Sequence, residues 1–201
     1  MKALLIIDLQ NDFLPAGSLA VPDGDQIIPI VNDLQSKFDL VVATQDWHPN
    51  NHQSFASQHP GKAPYDMIKL LGQDQVLWPD HCVQNSQGAA ISSALDTASI
   101  AAIFRKGTNP QIDSYSGFYD NNKLASTGLK GYLLERQVTE VFVCGLAADY
   151  CVFFTALDAL TAGFKTAIIS DATKSINEAD FALKSKDFIT SGGLVLTSSQ
   201  V

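Results

Sequence analysis

Cys151 lies in Gly145-Leu146-Ala147-Ala148-Asp149-Tyr150-Cys151-Val152, directly after the apolar run Val141-Phe142-Val143-Cys144. That run is short, β-branched and aromatic, the composition of a buried parallel strand. From Asp149 to Ala162, the residues Val152, Phe153, Ala156, Leu157 and Leu160 recur at helical spacing, with Asp149 the expected N-cap and Gly163 the expected C′ residue. Cys151 is thereby placed in the first turn of a helix, where unpaired N–H groups and the helix dipole favour a thiolate. Most cysteines are inert small hydrophobes, and Cys82 and Cys144 fit that description. Company distinguishes Cys151: Asp8 ends the first apolar run, and Lys106 ends the third. An unperturbed thiol has a pKa of about 8.5 and is barely ionised at neutral pH. Lys106 and the helix N-terminus are expected to lower it, while Asp8 can take the thiol proton and pass it to a leaving amine. The backbone N–H groups around Ala147 and Cys151 are expected to hold the oxyanion of a tetrahedral intermediate. Base, cation and nucleophile together describe acyl transfer from an amide through a thioester.

A second constellation lies beside the first. Asp46 and His48 are two residues apart, and Trp78-Pro79-Asp80-His81 supplies another imidazole. All 4 histidines (His48, His52, His59 and His81) fall in one stretch between the second and third apolar runs. Two histidines and a carboxylate suit a divalent metal, zinc first and iron or manganese as alternatives, with positions left for water or ligand.

The elements that must position these groups follow from the pattern of the chain. Strand-like runs recur at 3–7, 40–43, 100–104, 141–144, 167–169 and 194–196. Helical stripes lie between several of them: Ile27, Val31, Leu34 and Phe38; Leu129, Tyr132, Leu133 and Arg136; and Phe181, Ala182 and Ile189 behind Ser175-Ile176-Asn177-Glu178, which reads as a capping box. Strands alternating with helices predict an α/β fold: a three-layer, doubly wound parallel sheet of about six strands with helices on both faces. The 201 residues are expected to form one domain spanning 1–201, without repeats or an interdomain linker. In such sheets ligands bind beyond the carboxyl ends of the strands, where Asp8, Asp46, Lys106 and Cys151 would gather. Two long connections, 45–85 and 106–121, are expected to be functional.

Composition removes other classes. Hydrophobic residues make up 46% and charged residues 17%, and the formal charge of −8 argues against nucleic-acid or anionic-membrane surfaces. Asp8 ends the opening apolar run too early for a signal peptide, and no run reaches transmembrane length. The 3 cysteines form no disulfide framework, so a reducing cytoplasm is the expected setting.

Six motifs carry a resemblance over essentially the whole chain. They are Asp8-Leu9-Gln10-Asn11-Asp12-Phe13; Gln45-Asp46-Trp47-His48-Pro49 with His52 and Ser54-Phe55; Trp78-Pro79-Asp80-His81-Cys82-Val83; Arg105-Lys106-Gly107; Asp113-Ser114-Tyr115-Ser116-Gly117-Phe118; and the Gly145–Val152 segment. In that order they resemble the nicotinamidases (pyrazinamidases) of the isochorismatase-like cysteine hydrolase superfamily. The resemblance implies an amidohydrolase of a linear amide: nicotinamide to nicotinate and ammonia, in NAD salvage, with pyrazinamide as a second substrate. It implies Asp8, Lys106 and Cys151 as catalytic triad and Asp46, His48 and His81 as metal ligands that present the ion to the pyridine nitrogen. It also implies Phe13, Trp78 and Tyr115 as ring pocket, and a cis bond between Leu146 and Ala147. The fourth metal ligand stays open between Ser54, His52 and water, as does assembly into a homo-oligomer. Ala148 stands where family members often carry threonine, which removes a hydroxyl from the nucleophile segment. The alternatives to be separated by experiment are another amide-cleaving cysteine hydrolase of the same fold, a metalloamidase using metal-bound hydroxide, and a non-catalytic pyridine-binding protein.

Overall fold

A computed structural model describes residues 1–201. Each expected strand is present: β1 (Lys2–Ile7), β2 (Leu40–Asp46), β5 (Ile100–Lys106), β6 (Glu140–Leu146), β7 (Lys165–Lys174) and β8 (Leu194–Leu196). Between β2 and β5 lies a hairpin of β3 (Met67–Leu70) and β4 (Gln73–Val76). The six strands form one sheet in the order β5-β2-β1-β6-β7-β8, and every pairing within it is parallel. Residues 3–7 are wholly buried, as a central parallel strand covered on both faces requires.

Alternate residues of β1 serve two separate cores. Leu4 and Ile6 pack with Val31 and Leu34 of α1 (Ile28–Gln35). Ala3, Leu5 and Ile7 pack with Leu129 and Leu133 of α2 (Leu129–Glu135), Ala156 of α3 (Phe153–Thr161) and Phe188 of α4 (Glu178–Thr190). This is the expected three-layer arrangement. The chain winds outward from β1 through β2 to β5, then crosses back to β6 on the other side of β1. The carboxyl ends of β1 and β6 therefore form the topological switch point, the customary ligand crevice of such sheets.

Three local expectations are corrected. The capping box at Ser175 does not form; Asn177 is the N-cap of α4, accepting from the N–H groups of Ala179 and Asp180. Of the stripe expected on that helix, Ile189 is exposed, and Phe188 one position earlier carries the burial. Asp149 does not cap its own helix, because its carboxylate reaches instead to the backbone of Ile176 and Asn177. The 67–76 hairpin was not foreseen. Its strands are only four residues each, β3 apolar apart from Lys69 and β4 polar apart from Val76, with no apolar–polar alternation to announce them, and its turn at Leu71-Gly72 takes positive φ at both residues.

Candidate active site

The switch point gathers residues from three strand ends. Asp8 follows β1 with a left-handed φ of 47° and is held there by Thr44 of β2. The Thr44 hydroxyl donates to Asp8 Oδ1 at 2.6 Å and accepts from the Asp8 N–H at 3.2 Å. Lys106 is the last residue of β5, and its side chain is fully buried. Its Nζ lies 2.9 Å from Asp8 Oδ2, 3.1 Å from Asp46 Oδ1 and 3.4 Å from Cys151 Sγ, and it donates to the Ser114 carbonyl at 2.9 Å. Burial opposes the ammonium charge, but Asp46 and Asp8 overcome it and raise the Lys106 pKa well above its usual value.

Cys151 does not sit in the first turn of an ordinary α-helix. Ala148–Val152 form a π-turn, and α3 begins only at Phe153. The expected cis bond joins Leu146 to Ala147. The thiol is buried, and burial pushes its pKa up. Lys106 pulls it down, as expected, but Asp8 and Asp46 add to the rise, and the balance lies well above the ordinary thiol value. The expected lowering by Lys106 is present, but burial and two carboxylates outweigh one ammonium. Asp8 and Cys151 share Lys106, whose Nζ lies against both the carboxylate and the sulfur. The Asp8 pKa is raised by burial, against the pull of Lys106, which makes it a better proton acceptor than a solvated aspartate.

Asp46, His48 and His81 converge beside this triad with their ligand atoms within 4.8 Å of one another. Asp46 Oδ2 is 3.0 Å from His48 Nε2 and 3.4 Å from His81 Nε2. The opposite nitrogens face backbone carbonyls, His48 Nδ1 that of Gly107 at 2.9 Å and His81 Nδ1 that of Pro79 at 2.8 Å. Those contacts favour the Nδ1–H tautomers and leave both Nε2 lone pairs facing the carboxylate, the arrangement that a metal-binding histidine pair needs. Asp46 itself is clamped by Gln10, whose side chain accepts from the Asp46 N–H at 2.7 Å and donates to its carbonyl at 2.8 Å. Gly107, with φ of +64°, lies so close to His48 and Asp46 that any Cβ there would collide with them. Of the two side chains left open as fourth ligand, the Ser54 hydroxyl is engaged by His52 Nδ1 at 2.7 Å, whereas His52 Nε2 is buried without a partner. Burial and the neighbouring His48 hold the His52 pKa down to about 4, so its imidazole is neutral at neutral pH. The donor set fits a divalent cation.

One pocket joins both groups. Phe13, Trp78 and Tyr115 line it with Asp46, His81, Ala147 and Cys151, so the residues expected to form the ring pocket, the expected nucleophile and two of the expected metal ligands share one cavity. Trp78 meets Tyr115 edge-on at 6.3 Å and donates its indole N–H to the Tyr115 hydroxyl at 3.3 Å. Leu19, Asp113, Tyr150 and Ile176 complete the wall and were not foreseen. Tyr150 and Asp113 lie inside recognised motifs and could have been suspected; Leu19 and Ile176 carry no sequence signal. His59 stands apart, its Nε2 on the Gln53 carbonyl at 2.8 Å.

Comparison with known proteins agrees with this geometry. The isochorismatase domain model matches residues 2–200. The nicotinamidase of Escherichia coli (strain K12) is 51% identical over 180 residues, covering 88% of this chain and 84% of that protein. A nicotinamidase/pyrazinamidase structure from Acinetobacter baumanii superposes with a TM-score of 0.97 at 45% identity, over 99% of this chain and 97% of the other. A pyrazinamidase from Pyrococcus horikoshii in complex with zinc superposes with a TM-score of 0.82 at 38% identity, over 98% of each chain.

Proposed function

The chain belongs to the isochorismatase domain family, and we propose that it is a nicotinamidase, hydrolysing nicotinamide to nicotinate and ammonia within NAD salvage and deamidating pyrazinamide as well. One observation carries the reading: Cys151, joined to Asp8 through Lys106, opens into the same aromatic-walled pocket as Asp46 and His81. The site residues are assigned on that geometry, within one hydrolase domain spanning 1–201.

Asp46, His48 and His81 would hold a divalent cation, zinc by preference. When bound, that ion supplies a Lewis acid to which the pyridine nitrogen of the substrate can bind. Phe13, Trp78 and Tyr115 hold the ring and exclude water. The carboxamide carbon is then presented to Cys151. Burial raises the thiol pKa, so Asp8 takes the Sγ proton as the Sγ–C bond forms, and Lys106 offsets the charge that develops at Sγ. The backbone N–H groups of Ala147 and Cys151 are the oxyanion donors. Asp8 returns the proton to the departing nitrogen, since an amide anion is a very poor leaving group, and ammonia leaves. Asp8 next deprotonates a water that attacks the nicotinoyl thioester, and the proton goes back to Cys151 as nicotinate departs.

The test is ammonia release from nicotinamide by the zinc-loaded protein, with Cys151→Ala in parallel. Release by the wild type alone is expected. Silence from both proteins with metal bound would point to another amide substrate, and turnover by Cys151→Ala would remove the nucleophile assignment.

A further inference from the structure

Ile176 lines the pocket although no helix or strand holds it, for it lies in the connection between β7 and α4. What holds it is Asp149, two residues before the nucleophile. Asp149 Oδ1 accepts from the Ile176 N–H at 3.0 Å, and Oδ2 accepts from the Asn177 N–H at 2.9 Å. The Asp149 carbonyl accepts from Lys184 Nζ of α4 at 2.7 Å. That ammonium also lies 4.7 Å from the ring centroid of Tyr150, a second residue of the pocket wall. Asp149 is wholly buried and far from any role in proton transfer or metal binding. A buried carboxylate is costly unless strong hydrogen bonds compensate it, and here those bonds run from the nucleophile turn to the far wall of the pocket.

We propose that Asp149 and Lys184 are positioning residues: they lock the 175–177 segment and Tyr150 to the nucleophile turn, so that Ile176 is fixed against the substrate ring at a set distance from Cys151. This rests on the nicotinamidase reading. Asp149 then acts on ring affinity through Ile176, and Lys184 acts by holding the same turn from α4.

Asp149→Asn tests this, because it keeps the shape but turns one acceptor into a donor facing a backbone N–H. KM and kcat for nicotinamide are measured on zinc-loaded enzyme, with active molecules counted by iodoacetamide labelling. Asp149→Asn and Ile176→Ala are each expected to raise KM about tenfold, with kcat changing less than about threefold, as loss of apolar ring contact dictates. The double variant should be within about twofold of the weaker-binding single, since residues acting through one contact are not additive. Multiplying KM effects, or fewer active molecules with an unchanged KM, would overturn the inference. If Asp149→Asn does not fold, Lys184→Met replaces it in the same cycle under the same criterion. Wild-type silence on nicotinamide would sink the proposed function; a wild type that turns over beside variants of wild-type KM would sink only this inference.

Discussion

Lys106 meets three ionisable partners at once. Its ammonium lies within 3.4 Å of Asp8, Asp46 and Cys151. At Cys151 it lowers the pKa, against burial and two carboxylates that raise it. Removing it must therefore raise the pKa further. Lys106→Ala is expected to move the pH profile of Cys151 alkylation by iodoacetamide to higher pH, and an unmoved profile would refute its electrostatic role. Cys151→Ala should abolish turnover with metal content intact, because the thiol is no part of the Asp46, His48 and His81 group. His81→Ala removes one of those donors; loss of bound metal, read by elemental analysis, and a higher KM are expected together. If neither changes, His81 is not a ligand.

Strand ends and the turns after them do the positioning, and two glycines show how little room they have. Gly145 has φ of +111°, and a Cβ there would strike the Ile7 backbone on the neighbouring strand. Gly107 backs directly onto His48 and Asp46. Gly107→Ala is expected to displace His48, so bound metal should fall while the melting temperature of the chelated protein drops only modestly. Gly145→Ala should instead destabilise the fold by upward of about 1 kcal/mol, since it combines an unfavourable φ with a clash between β1 and β6. Urea titration distinguishes the two. These elements were largely legible in the sequence. All six sheet strands are apolar runs bounded by polar residues, and α2 begins at Leu129, where its stripe begins. The π-turn at 148–152 was not legible, because its residues are compatible with an ordinary first helical turn.

At the scale of the molecule, one sheet holds the groups of both constellations at its carboxyl edge, and binding is coupled to folding. A metal that binds the native site alone stabilises the fold by about 2.7 kcal/mol at a free concentration a hundred times its dissociation constant. Added zinc should raise the melting temperature of the chelated wild type, and should fail to do so for His81→Ala. Buried positions remote from the edge behave differently. Leu5 is wholly buried in the centre of the sheet. Leu5→Ala should cost about 2–5 kcal/mol, read by denaturant titration, while KM per active molecule stays at the wild-type value.

By itself the sequence determined the six strands of the main sheet, the order of their chemistry-bearing ends and the residue types that face the crevice. Those features are local: apolar runs with polar stops, and compact motifs whose spacing survives without knowledge of distance. The parallel sheet then follows, since alternating strands and helices have few other ways to bury their faces. Tertiary structure alone decided the direction in which the Cys151 pKa moves, because that depends on burial and on how closely Asp8, Asp46 and Lys106 approach it. It alone turned Asp149 from an expected cap of its own helix into a tie to Ile176 and Asn177. It also placed Leu19 and Ile176 in the pocket, although neither has a chemical signature. The physical reason is common to all three: desolvation, Coulomb energy and hydrogen-bond choice depend on distances between segments far apart in the chain, which residue type and spacing do not encode.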